Sequence, residues 1–128
     1  MDQPNADDFL IVKNLYSELL NGSQLNFPAD GVRLDAPEQR GVYVIYGQQG
    51  QVLHVGSTRT GQRGIAKRLR DHLSAASSFT IKHLHGDGSS LRSGCSYRYV
   101  VVENPRHRAL LEAFAIGNLC PAHIGHGR

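Results

Sequence analysis

Long apolar runs are missing from this chain. No window of its 128 residues reaches the roughly 20 apolar residues that a membrane-spanning helix needs, so no membrane association is expected. Cysteine is scarce: Cys95 and Cys120 form no Cys-x-x-Cys pair. That pattern favours two buried free thiols in a reducing compartment over a disulfide framework. His83, His85, His123 and His126 match no zinc-ligand spacing, which argues against a structural zinc site. The loop STRTGQRG lacks the Gly-Lys-Ser/Thr ending of a phosphate-cradling nucleotide loop, which argues against nucleotide hydrolysis. The first residues, MDQPNADDF, are acidic and polar, unlike a secretory signal or transit peptide, so the cytoplasm is the expected location.

Acidic residues are scarce in one part only. Residues 1–40 carry seven acids and three bases, a net −4, whereas residues 41–128 carry four acids and eleven bases, a net +7. A basic half of this kind is the electrostatic footprint of a polyanion-binding surface, or else a solvated face. Composition is otherwise that of a globular domain, with 40% hydrophobic and 20% charged residues. The length fits one domain, in which residues 1–40 form an N-terminal helix and a connector packed on the rest.

Residues 7–21 have helical periodicity in Phe9, Val12, Leu15, Tyr16, Leu19 and Leu20, with Asp7 or Asp8 as cap and Gly22 at the C-terminus. Residues 22–40 are turn-rich, broken by Pro28, Asp30-Gly31 and Pro37, with a short strand possible at 32–34. The stretch 41–72 organises the remainder. Two strands, about 41–47 and 51–57, place Tyr43 and Ile45 on one face and Val42, Val44 and Tyr46 on the other. A basic helix at about 63–75 buries Ile65, Leu69 and Leu73 and sets Arg68 and His72 four residues apart, on one face. Residues 74–94 read as a loop or a short helix around 79–84. A third strand spans 95–103, then Asn104 and Pro105 open a helix that runs to about Leu119. The final PAHIGHGR reads as a loose tail.

Glu112 is the odd charge, set among Leu110, Leu111, Ala113, Phe114, Ala115 and Ile116. It lies either on the solvent stripe of its helix or in a functional cavity. In a cavity beside basic residues its natural partner is a hard divalent ion, Mg²⁺ or Mn²⁺, which accepts one carboxylate, several waters and phosphate oxygens. Taken singly, Tyr43 reads as a sheet tyrosine, His54 as a structural histidine, and Arg68 and His72 as solvated surface.

Together these residues resemble the signature of the GIY-YIG endonuclease family. Gly41-Val42-Tyr43 and His54-Val55-Gly56 stand for its two halves, Arg68 and His72 for the arginine and histidine of the following helix, Glu112 for the helical glutamate, and Pro121 for the proline after it. The likeness covers about residues 41–124, and residues 41–128 would form the nuclease-like domain. It implies an α+β fold: a three-stranded antiparallel sheet flanked by helices, with the site on one sheet face. It also implies metal-dependent hydrolysis of DNA phosphodiesters. In that scheme Glu112 holds one Mg²⁺ or Mn²⁺ ion and Tyr43 is the general base, its phenolate favoured by Arg68 and the ion. His54 relays a proton, His72 accepts the phenolic one, and Arg68 neutralises charge at phosphorus. Ser57, Arg59, Arg63, Lys67 and Arg70 would contact the DNA.

Three positions depart from the family pattern. His54 replaces a tyrosine, Ser57 replaces a common lysine, and Ile124 occupies the place of an asparagine, with His123 the nearest polar substitute. The competing functional class is a nucleic-acid-binding domain of the same fold with little catalysis, acting in an assembly; a bare interaction module would leave the charge asymmetry unexplained. Sequence-specific cleavage by so short a chain would call on the 74–94 loop, the N-terminal helix, a homodimer or a partner protein.

Overall fold

The computed structural model describes residues 4–59, 63–74 and 76–124. In chain order it contains helix α1 (Pro4–Asn21), strands β1 (Leu25–Asn26), β2 (Gly41–Tyr46) and β3 (Val52–Ser57), helices α2 (Ile65–Leu73) and α3 (Ser78–His83), a 3₁₀ turn (Gly88–Arg92), strand β4 (Ser96–Val101) and helix α4 (Pro105–Leu119). The class is α+β, with an antiparallel sheet of order β1-β4-β2-β3. Among the described residues no helix is long and apolar enough to cross a membrane.

Every residue of β2, GVYVIY, is buried, because this central strand carries a core on each face. Val42, Val44 and Tyr46 pack with Val12 and Leu19 of α1 and Leu111 and Ala115 of α4. Tyr43 and Ile45, one residue out of phase, pack with Ile65 and Leu69 of α2, Phe79 of α3 and Leu91. The alternation read from sequence therefore holds, and α1 packs on α4 and β4 as part of the same unit.

The sheet has four strands where three were expected. The additional one is β1, in which Leu25 and Asn26 pair with Tyr97 and Ser96. Two residues are too few to show alternation, so the strand exists through its partner. No strand forms at 32–34, where Val32 is 58% exposed. The first helix starts at Pro4, which puts Asp7 inside its first turn instead of at its cap. Cys95 is buried as expected, but Cys120 is exposed: it ends α4 in a left-handed conformation, φ 47°.

The connector has a definite task. The carbonyls of Pro37 and Gln39 accept from the N–H groups of Ala66 and Ile65, at 2.9 Å each. These bonds satisfy two of the donors that the first turn of α2 leaves unpaired. They fix the start of the basic helix to the chain just before β2. At the other end of the domain, Asn104 Oδ1 accepts from Arg106 and His107 N–H, with Pro105 at the first helical position, as read from sequence. The tail is not loose where it is described: Ala122 and His123 donate to Val52 and Leu53 carbonyls at 3.1 and 2.9 Å, forming a parallel bridge to β3. His126 lies outside the described residues.

Candidate active site

A cleft of about 310 Å³ opens between the C-terminal end of β3, helix α2 and the first half of α4. It gathers Tyr43, His54, Ser57, Arg59, Arg68, His72 and Glu112, seven of the ten residues singled out from sequence. The other three are basic residues outside its lining. Lys67 pairs with Asp71, Arg70 lies 3.7 Å from Glu38, and Arg63 is exposed beside the undescribed residues 60–62.

Tyr43 enters the cleft from the middle of the sheet, opposite Gly56 on β3. That glycine is required by packing: a Cβ built there would meet Tyr43 Oη at 2.4 Å and Cζ at 2.5 Å. Gly41 answers to a similar demand, since its Cβ would lie 2.1 Å from the Val100 carbonyl oxygen. The phenol bonds His72 Nε2 at 2.6 Å, and both residues are fully buried. Nδ1 of the same ring contacts Ser77 Oγ at 2.7 Å.

Electrostatics differ from the expectation for Tyr43. Burial pushes its phenol above the ordinary value, and outweighs the opposing pull of Arg68. Arg68 therefore does not, within the protein alone, generate a phenolate. Burial also pushes His72 down to about 2 and His54 down to about 3, each further lowered by a neighbouring histidine. Both imidazoles are therefore neutral at physiological pH, each with one ring nitrogen bare to accept a hydrogen bond.

Glu112 faces the cleft and is half-buried, settling its placement in favour of the cavity. Its Oε1 accepts from Ser57 Oγ at 2.7 Å. Three arginines line the same space, Arg59, Arg68 and Arg108, against this one carboxylate among the described residues. Asp71 orients Arg68 by accepting from Nη1 at 3.1 Å. A cleft with excess guanidinium attracts phosphate.

The two departures at 54 and beyond Pro121 meet in space. His123 is buried, and its Nδ1 lies 3.1 Å from His54 Nδ1. Ile124 is 49% exposed and supplies no polar group. His54 also stacks on Phe79, 4.7 Å between centroids.

Sequence reasoning missed Arg108, Ser77 and Thr80. Arg108 stands one turn before Glu112, buried, with Nε donating to the Thr58 carbonyl at 2.9 Å and Nη1 to those of Val102 and Glu103 at 3.0 and 3.1 Å. It ties the end of β3 to the β4–α4 junction, directly behind the glutamate. The spacing Arg108-x-x-x-Glu112 on one helix face was the available signal. Ser77 caps α3, accepting from Thr80 N–H, a Ser-x-x-Thr pattern that could have marked the start of that helix.

The chain matches no model of a known protein family, and no curated protein matches it.

Proposed function

We propose that this chain is a metal-dependent endonuclease of the GIY-YIG type that hydrolyses DNA phosphodiesters. The observation that carries the reading is convergence. Tyr43 from β2, Arg68 and His72 from α2, and Glu112 from α4 line one cleft, in the pattern the family resemblance implies.

The donor set fits one hard ion. Glu112 lines the cleft, and a Mg²⁺ or Mn²⁺ ion that keeps several waters needs just one such carboxylate. No group of three or more His, Cys, Asp and Glu side chains is arranged to cage an ion among the described residues. When bound, the ion supplies Lewis-acid polarisation of the phosphate and stabilises charge on the leaving oxygen.

The protein's own groups handle the proton. With the phenol raised and the imidazole lowered, a resting tyrosinate–imidazolium pair is unfavourable. The transfers are coupled to the attack: as water attacks phosphorus, its proton passes to Tyr43 Oη while the phenolic proton passes to His72 Nε2, and the negative charge gathering on the phosphate offsets the cost of the buried imidazolium. The bond from the water oxygen to phosphorus forms and the bond from phosphorus to the 3′ oxygen breaks. The products are a 5′ phosphate and a 3′ hydroxyl, the leaving oxygen taking its proton from solvent. His72 is thus the terminal base and Tyr43 the relay. Arg68 neutralises the pentacovalent phosphorus, and Arg59 adds positive potential at the mouth.

The test is cleavage of supercoiled plasmid, branched DNA and single strands with Mg²⁺ or Mn²⁺, beside Tyr43→Phe and Glu112→Gln proteins. Metal-dependent cutting by the wild type alone is expected. Salt-sensitive binding by all three proteins without cutting by any would replace the nuclease with a DNA-binding domain. The exposed Ile124 in place of the family's asparagine favours that second reading.

A further inference from the structure

We propose that Ser77 and Thr80 lock His72 in one tautomer, with the ring proton on Nδ1 and Nε2 bare toward Tyr43. The assignment follows from accounting for every hydrogen in a closed, buried network.

Thr80 Oγ1 lies 2.5 Å from the His72 carbonyl oxygen, which only accepts, so the threonine hydroxyl hydrogen is committed there. Thr80 Oγ1 also lies 3.0 Å from Ser77 Oγ. With the threonine hydrogen already used, this contact takes the serine hydrogen. Ser77 Oγ accepts from Thr80 N–H at 3.1 Å, and that donor has no freedom to reverse. Ser77 therefore has no hydrogen left for His72 Nδ1, 2.7 Å away, and must accept from it. The neutral ring then carries its hydrogen on Nδ1. Nε2 has a lone pair and accepts from the Tyr43 hydroxyl at 2.6 Å. Five contacts use five hydrogens, one each. The opposite tautomer would claim the serine hydrogen for Nδ1 and leave the two hydroxyl oxygens of Ser77 and Thr80 facing one another without one. It would also reverse the contact with Tyr43, making Nε2–H the donor and the phenol oxygen the acceptor, with no bare nitrogen left to take the phenolic hydrogen.

His72, Ser77 and Thr80 are at most 4% exposed, so water does not substitute freely for a missing hydrogen. Burial keeps the imidazole neutral, which is what makes the choice of tautomer meaningful. On the nuclease reading, on which its catalytic consequence rests, the lock aims an acceptor at Tyr43 before substrate arrives. Ser77 and Thr80 are then positioning residues that never meet the phosphate.

The test uses the full chain labelled with ¹⁵N in histidine at pH 7.5, with two-bond ¹H–¹⁵N spectra distinguishing protonated from bare ring nitrogens. The expected wild-type result is His72 with Nδ1 protonated and Nε2 bare. Thr80→Val keeps the side-chain shape and frees the serine hydrogen for Nδ1, so the population moves toward Nε2–H. Thr80→Ser keeps the hydroxyl and restores the wild-type pattern. An Nε2–H form in the wild type, which needs no variant to detect, overturns the proposal, as does a folded Thr80→Val protein with an unchanged tautomer. In cleavage assays, kcat of Thr80→Val falls about tenfold, the effect of one buried hydrogen bond, at unchanged KM. If the tautomer behaves as stated but no substrate is cut, the nuclease reading fails and the lock stands.

Discussion

Gly56→Ala is the most direct probe of how the sheet seats the site. The β2–β3 register sets Tyr43 against Gly56, and the ring lies across the glycine. An alanine Cβ would stand 2.4 Å from Oη, 2.5 Å from Cζ and 2.9 Å from Cε1. Relaxed contacts between carbons need about 3.5–4.0 Å, so the ring or the strand must give by about 1 Å. Neither can do so freely. Tyr43 is fully buried, and its hydroxyl already sits 2.6 Å from His72 Nε2. Movement toward the imidazole is blocked by that short contact, so the phenol slides off the hydrogen-bond axis.

Overpacking of this kind costs about 1–3 kcal/mol. Stranding a buried partner of the lost hydrogen bond adds about 1–3 kcal/mol. The total, about 2–6 kcal/mol, is measured by urea unfolding monitored by circular dichroism, with His72 Nε2 chemical shift reporting the bond itself. Gly117→Ala is the matched control. Gly117 lies inside α4 with nothing within 4 Å of a built Cβ, so the same substitution there stabilises, by about 0.5–1 kcal/mol. In a Tyr43→Leu background the Gly56→Ala penalty shrinks, because the atoms it strikes are gone. A Gly56→Ala protein as stable as wild type, with the Tyr43–His72 contact intact, would refute the argument that the phenol's place depends on the missing Cβ.

Three further outcomes follow from the same geometry. His54 and His72 are held near 3 and 2, below the ordinary value of about 6.5, so between those limits the unfolded chain binds more protons and stability rises with pH. Their contribution is complete above about pH 6.5, and unfolding free energy drops by on the order of 3 kcal/mol between pH 7.5 and 5.5, read from urea titrations at each pH; a flat profile would contradict neutral burial. Arg108→Met leaves three carbonyls without their donor and destabilises by about 2–4 kcal/mol in the same assay, whereas a change below about 0.5 kcal/mol would remove Arg108 as the tie between β3 and α4. Ser57→Ala frees Glu112 Oε1 at a cost of about 1 kcal/mol or less in stability, and calorimetric titration with Mn²⁺ should show altered affinity if that carboxylate holds the ion.

Much of this arrangement was legible because the signals were local. Asn104-Pro105 and Cys120-Pro121 bracket α4, and the β2 alternation assigned Tyr43 and Val42 to opposite cores. What stayed hidden depends on distant partners. Leu25–Asn26 becomes a strand through the edge of β4. Lys67 and Arg70 count as free positive charge in a sequence, yet Asp71 and Glu38 partly neutralise them in the fold. The direction of the Tyr43 shift is hidden for the same reason. Counting nearby cations predicts a lowered phenol, but the degree of burial, which no local pattern reveals, dominates. Arg108 escaped notice because its acceptors are backbone carbonyls from two other elements.

The segment 74–94 changes most in meaning. Its Ser and Gly content read as a loop or a short helix around 79–84, and the helix that forms there, α3, has six residues, too few to persist alone in water. It is held by what it supports. Ser77 and Thr80 grip His72, and the Phe79 ring lies 4.7 Å from His54 and 5.4 Å from both His72 and His123. His54 and His123 thus share one aromatic backing, and they touch each other. Two histidines that look independent at 69 residues' separation form a single unit, seated by the same short helix that holds His72 against Tyr43. A substitution at either histidine therefore acts on Phe79 and, through it, on the face of His72.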